Sequence, residues 1–236
     1  MKNPDTIRSG TWISTGSPAI VELAAECGLD WVLLDLEHGE YGESEIPHLL
    51  RALRGSETLG IVRVAALLPD QIGRTLDCGA DGIMVPHVTS AEQARIAARA
   101  MRYPPEGTRG VSRTVRAHGY GTRDLATRNS PFLLAQIEDP GGVRAAESIA
   151  AVAGVDALFI GPADLRHALA HEPNAPGFED CVETTLAGAR AHGKATGILI
   201  REPDERARRV ESGMTWIASG SDLGILREFY QHLKKR

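Results

Sequence analysis

Three apolar runs, each the length of a buried strand, end in clusters of ionisable or amide residues: Trp31-Val-Leu-Leu-Asp35-Leu-Glu37-His38, Phe132-Leu-Leu-Ala-Gln136-Ile-Glu138 and Ala157-Leu-Phe-Ile-Gly-Pro-Ala-Asp164. Burying a carboxylate is costly unless it is paired or bound to a metal. Three such tips therefore point to one polar site at one end of a sheet, the arrangement of a metal-dependent barrel enzyme.

Glu138 and Asp164 are the metal candidates. Two carboxylates without a paired histidine or cysteine suit a hard cation such as Mg²⁺ or Mn²⁺, which leaves coordination positions for water and substrate. The structural alternative has Asp164 capping the segment after its strand and Glu138 pairing with an arginine. His38 is the acid/base candidate, three residues beyond Asp35, whose carboxylate is expected to hold the imidazole and fix its tautomer. Arg63 closes Gly60-Ile-Val-Arg-Val. Its permanent charge must meet an anion or a carbonyl, so it either stabilises a developing oxyanion or forms a buried salt bridge to Asp35 or Glu37. His48, His167, His192 and His232 read as structural, and His87, after Val85-Pro86, has no assignment.

The remaining motifs exclude several chemistries. Lys2, Lys194, Lys234 and Lys235 are the only lysines. None is expected inside the site, which argues against a Schiff-base mechanism. Neither a GxGxxG nor a GxxxxGK[ST] run occurs. Ser219-Gly220-Ser221-Asp222 could offer amides to an anion or simply cap a helix.

These tips need a scaffold, and the chain supplies one. Strands are expected over 10–14, 31–35, 61–64, 82–85, 132–137, 157–160, 195–199 and 216–218. Helices are expected over 18–27, 44–54, 71–78, 91–101, 143–151, 178–192, 204–212 and 222–233. Strict alternation means a parallel sheet, and eight strands close a (β/α)8 TIM barrel. In such a barrel Asp35, Glu37, His38, Arg63, Gln136, Glu138 and Asp164 share the C-terminal face, where active sites lie. Cys27-Gly-Leu-Asp30, Cys78-Gly-Ala-Asp81 and Ala153-Gly-Val-Asp156 read as one αβ turn used three times. Residues 102–130 form a long arginine-rich connection, a substrate loop or a solvated or subunit contact. No linker or compositional break divides residues 1–236, so one domain is expected.

The 42% hydrophobic and 24% charged fractions are ordinary for a globular protein, and the net charge of −5 draws the chain to neither nucleic acid nor membrane. Cys27, Cys78 and Cys181 lack metal or disulfide spacing. The first residues, Met1-Lys-Asn-Pro-Asp-Thr-Ile-Arg, contain no apolar h-region, and no run approaches the ~20 apolar residues of a membrane span. A cytoplasmic location is expected.

With these residues in view, the chain resembles the HpcH/HpaI family of metal-dependent (class II) pyruvate aldolases, from about Gly10 to Asp222. The resemblance rests on Gly10-Thr-Trp12, Asp30–His38, Val62-Arg-Val64, Leu76-Asp-Cys-Gly-Ala80, 102–110 (Arg-Tyr-Pro-Pro-Glu-Gly-Thr-Arg-Gly), Gln136-Ile-Glu138 and 159–165 (Phe-Ile-Gly-Pro-Ala-Asp-Leu). It implies reversible cleavage of a 4-hydroxy-2-oxo acid to pyruvate and an aldehyde through a pyruvate enolate. A decarboxylase of oxaloacetate-like acids is the related alternative.

The resemblance further implies that Glu138 and Asp164 bind Mg²⁺, Mn²⁺ or Co²⁺ and that Arg63 steadies the enolate. Asp35-oriented His38 acts with water on the aldol hydroxyl. Gln136 lines the pocket, and amides around Gly161, Pro162 and Ala163 hold the pyruvate carboxylate. Asp77 and Arg116 reach the aldehyde end of a neighbouring subunit. It also implies a homo-oligomer, commonly a hexamer, whose last helix packs on a partner. His87, the run 166–170 and the short 171–177 loop depart from the family pattern on the aldehyde side.

Overall fold

The computed structural model describes residues 3–124, 130–202 and 204–234. Eight parallel strands close in sequence order: β1 Arg8–Ile13, β2 Trp31–Asp35, β3 Leu59–Arg63, β4 Gly82–Val85, β5 Phe132–Ile137, β6 Ala157–Ile160, β7 Ala195–Ile200 and β8 Trp216–Ser221. The chain is a (β/α)8 TIM barrel. The surrounding helices are α1 Pro18–Glu26, α2 Ile46–Ala52, α3 Pro69–Asp77, α4 Ala91–Ala100, α5 Pro140–Arg144, α6 Ala146–Ala150, α7 Pro162–His171, α8 Phe178–Ala191, α9 Glu205–Glu211 and α10 Asp222–Lys234.

All eight expected strands form, and two helical expectations need correction. The segment 143–151 is not one helix: α5 and α6 meet at Ala145, whose ψ of 0° breaks the run. Helix α7 was not expected. It starts directly beyond β6, with Pro162 in its first turn and Asp164 among its first residues, a start signal proline supplies through its fixed φ and missing N–H. Asp164 thus belongs to a helix and not to the tip of a strand.

Alternation sorts the strand residues into two layers. Trp12, Trp31, Leu33, Ile61, Met84, Leu134, Ala157, Phe159 and Trp216 fill the barrel interior. Their neighbours Val32, Leu34, Val62, Ile83, Leu133 and Leu158 pack against the helices. Trp31 meets Trp216 edge-on at 5.3 Å, and the rings of Trp12 and Phe159 lie 5.4 Å apart. Because side chains alternate, the inward positions after Leu33, Ile61, Leu134 and Phe159 are Asp35, Arg63, Gln136 and Gly161. A slip of one residue would turn this polar set out of the barrel.

At the opposite end the repeated turn is a hydrogen-bonded clasp. Asp30 donates its amide to Ser9 O at 2.9 Å and accepts the Ser9 amide on Oδ2 at 2.7 Å. Asp81 does the same with Gly60 (2.8 and 3.0 Å) and Asp156 with Leu133 (2.9 and 2.8 Å). The preceding Gly28, Gly79 and Gly154 have φ of 76°, 95° and 108°, the left-handed region glycine enters freely. The structure adds a fourth member, Gly213-Met214-Thr215. Thr215 bonds Thr196 O through its amide at 2.9 Å, while its hydroxyl turns to Pro4 O at 2.8 Å. The carbonyls of Asp30, Asp81, Asp156 and Thr215 in turn accept from Leu59, Phe132, Ala195 and Arg8 of the next strands.

Candidate active site

The mouth of the barrel holds two polar arms. In the first, Arg63 donates from Nε to Asp35 Oδ1 at 2.9 Å and from Nη2 to Asp35 Oδ2 at 2.7 Å. The strands set this pair, since Asp35 and Arg63 are register partners across β2 and β3. Nη1 lies 2.8 Å from Glu37 Oε2; that ion pair is not an aligned hydrogen bond, and Oε2 remains open to a donor. The Trp12 ring backs the guanidinium at 5.6 Å. Burial works against the Arg63 charge, but the bonded Asp35 and the nearby Glu37 and Glu138 outweigh it and hold the pKa above its usual value.

Of the two alternatives for Arg63, the structure shows the buried salt bridge. Its salt bridges to Asp35 and Glu37 are both formed, so Glu37 stands as the supporting partner of Arg63 that the sequence allowed.

The expected Asp35–imidazole contact is corrected. Asp35 Oδ1 accepts the backbone amides of Glu37 at 3.0 Å and His38 at 3.3 Å, besides Arg63. Its lone pairs are committed to the guanidinium and the turn. The carboxylate beside the His38 ring is Glu37, with Oε1 3.8 Å from Nε2, and that ring is 65% exposed. Tyr41 fixes the turn: its hydroxyl accepts the Asp35 amide at 2.6 Å and donates to Ile13 O at 2.9 Å. Burial pushes the Tyr41 phenol far above its ordinary range, so it stays a neutral donor.

In the second arm, Gln136 Nε2 donates to Glu138 Oε2 at 2.6 Å. The backbone amide of His87 donates to Glu138 Oε1 at 2.7 Å, and His87 Nδ1 lies 3.0 Å from that oxygen. His87 has φ 53°, strained for a side chain with a Cβ. Its Nε2 lies 3.1 Å from Glu37 Oε1, which joins the two arms. Burial raises the Glu138 carboxyl above its usual range against the opposing His87 amide and ring; Glu37 and Asp164 push the same way.

Three features fit this arm to a divalent cation. Glu138 is a buried carboxylate that ionises reluctantly without added positive charge. Gln136 Oε1 is buried without a hydrogen-bond partner. A Cβ on Gly161 would stand 2.5 Å from Glu138 Oε2 and 2.8 Å from Gln136 Nε2, so the space over the pair depends on glycine. Among the described residues no three His, Cys, Asp or Glu side chains form a ready cage. An ion held here would complete its shell with water and substrate, as Mg²⁺ commonly does.

The expected amide cradle is narrower than the sequence suggested. The Gly161 N–H donates to Ile137 O at 3.0 Å, and Pro162 has none to give. That leaves Ala163 and Asp164, whose amides in the first turn of α7 have no acceptor within the helix.

Asp77 and Arg116 lie away from this mouth within the same chain. Asp77 ends α3 at the clasped face and pairs with Arg109. Arg116 Nη1 and Nη2 cap Cys78 O and Leu50 O, each at 2.9 Å. Arg116 thus has an intrachain structural task. The connection that carries it is not wholly irregular, since residues Arg116–Gly121 form a 3-10 turn; its residues 125–129 lie outside the described ones. Ser219–Asp222 takes its capping role: Ser221 Oγ accepts the Gly224 amide at 3.1 Å, and Asp222 accepts the Ser14 and Thr15 amides at 2.9 and 3.0 Å.

Comparison with known proteins gives the family of the chain. Residues 8–228 match the HpcH/HpaI aldolase/citrate lyase description. The chain belongs to that family. It is 40% identical over 232 residues to the 5-keto-4-deoxy-D-glucarate aldolase of Klebsiella pneumoniae, covering 96% of this chain and 91% of that one. The Escherichia coli K12 protein of the same name is 39% identical over the same shares. A solved HpcH/HpaI aldolase/citrate lyase family protein from Burkholderia cenocepacia superposes with a TM-score of 0.92 at 34% identity, covering 99% and 96% of the two chains. No helix among the described residues is long and apolar enough to cross a membrane.

Proposed function

We propose that this HpcH/HpaI protein is a divalent-metal-dependent lyase that reversibly cleaves a 4-hydroxy-2-oxo acid into pyruvate and an aldehyde. The observation that carries the reading is the joining of the Asp35–Arg63–Glu37 and Gln136–Glu138 arms in one barrel mouth. A sugar-derived acid, as in the name of the Klebsiella relative, is the substrate class that relationship favours.

Glu138 and Asp164 would hold Mg²⁺ or Mn²⁺, which supplies Lewis-acid polarisation of the 2-oxo group when bound. The amides of Ala163 and Asp164 are placed for the substrate carboxylate, at a helix start that favours anions. In cleavage the C4 hydroxyl loses its proton, the C3–C4 bond breaks, and the electron pair moves to the oxygen at C2 as the enolate. Arg63 directs positive charge at that oxygen, already fixed by Asp35 and Glu37, so little reorganisation is needed. His38, at the exposed rim beside Glu37, takes the hydroxyl proton; protonation at C3 then completes pyruvate.

The outer surface of α10 supports assembly into a homo-oligomer, because Ile225, Phe229, Tyr230 and Leu233 are each at least half exposed.

The test is pyruvate release from 4-hydroxy-2-oxo acids by the purified protein, with Mg²⁺, with Mn²⁺ and with chelator. Metal-dependent release is expected. Turnover unaffected by thorough chelation would overturn the reading, and release from oxaloacetate alone would replace it with decarboxylation.

A further inference from the structure

Resting on the metal reading of Glu138, we propose that His87 is a further metal-ligating residue, giving the ion an imidazole nitrogen beside the Glu138 oxygen. Two donors that occupy adjacent positions on an octahedral ion, each at about 2.1 Å, stand roughly 3.0 Å apart. His87 Nδ1 and Glu138 Oε1 are 3.0 Å apart.

That spacing is also ordinary for a hydrogen bond, so it does not stand alone. The backbone at His87 is the second observation. With φ 53°, it turns the residue's own amide onto Glu138 Oε1 at 2.7 Å and brings the ring to the same oxygen. A non-glycine residue held in the left-handed region costs energy, and such residues gather at ligand clamps. The ring is 59% exposed, so burial does not account for its position.

The far side of the ring completes the arrangement. Nε2 lies 3.1 Å from Glu37 Oε1. Metal-bound histidines commonly donate their second ring N–H to a carboxylate, which fixes the tautomer and orientation. Glu37 is itself fixed by Arg63. The ion would therefore have a nitrogen ligand tied, through one carboxylate, to the guanidinium that faces the substrate.

A nitrogen in the shell disfavours Mg²⁺, which is suited by oxygen ligands, and affinity for a mixed site rises along the first-row ions from Mn²⁺ to Co²⁺; Mn²⁺ serves as the probe because it is paramagnetic. The decisive measurement is electron spin-echo modulation on the Mn²⁺-loaded protein. Imidazole ¹⁴N coupling is expected in the parent and its loss in His87→Ala. Titration calorimetry should show Mn²⁺ affinity falling at least tenfold in that variant while Mg²⁺ affinity changes less than threefold. Bound Mn²⁺ without ¹⁴N coupling in the parent, or coupling that persists in His87→Ala, would overturn the assignment. If the parent binds no Mn²⁺, or Glu138→Ala binds it as the parent does, the metal reading of Glu138 itself fails. Circular dichroism on His87→Ala checks that its fold persists, and His87→Gln, which keeps a polar side chain without the ring, provides the second arm: recovered ¹⁴N coupling there would also refute an imidazole ligand.

Discussion

Arg63 grips Asp35 through two parallel hydrogen bonds, 2.9 Å from Nε and 2.7 Å from Nη2, with both side chains almost wholly buried. The bidentate form fixes the plane of the guanidinium as well as its charge. A guanidinium held this way cannot swing aside when a ligand enters the mouth.

Removing one partner of that pair leaves an uncompensated buried charge. Asp35→Ala is expected to lower stability by about 3–5 kcal/mol, read from urea denaturation. A loss below ~1 kcal/mol would show that Glu37 alone suffices to hold Arg63.

Glu138 has a pH signature of the opposite kind to a salt-bridged acid. Its carboxyl is raised in the folded chain, mainly by burial. A raised pKa contributes stability that is fully present below the unfolded value and is lost as pH rises through the folded one. In chelator, Glu138→Gln should therefore melt a few degrees above the parent near neutral pH. The advantage should vanish toward about pH 4, where even an unfolded glutamate begins to protonate. A constant offset across the range would mean that charge is not the cause.

Gly161→Ala tests the space over the second arm. The new Cβ would crowd Glu138 Oε2 and Gln136 Nε2, displacing the carboxylate rather than the barrel. Expected are a metal affinity reduced at least tenfold and a melting temperature close to the parent's. Unchanged metal titration would remove the Gln136–Glu138 pair from the site.

His38→Gln should lower kcat by about 10²–10⁴-fold, the usual range for a lost acid or base, with KM altered much less. Because the ring is exposed and free of Asp35, stability should stay within ~0.5 kcal/mol. Steady-state kinetics and a thermal melt decide it; near-parental kcat would transfer the proton to another group or to water.

Much of this site could be read from the chain, because period-two alternation marks which face of a strand looks inward. The inward set Asp35, Arg63 and Gln136 follows once the strands are placed. The pairing of Asp35 with Arg63 in preference to His38 does not follow. It depends on the β2–β3 register, and nothing local to either strand states that register. Helix α7 did carry a local signal in Gly161-Pro162, hidden because an apolar run leads straight into it. The His87 backbone was illegible because no local pattern marks which non-glycine residue turns left-handed, and its contacts with Glu138 and Glu37 join residues far apart in the sequence.

The four clasps at the far end of the barrel divide the chain into quarters of two strands each. Every quarter is pinned at its base through Asp30, Asp81, Asp156 or Thr215, and the same residue's carbonyl passes the pairing on to the next quarter. One two-strand unit is thus repeated four times around the barrel. The repeat also separates two kinds of change: register is settled at the base, so the turns at the mouth are free to drift toward new aldehydes without loosening the cylinder beneath them.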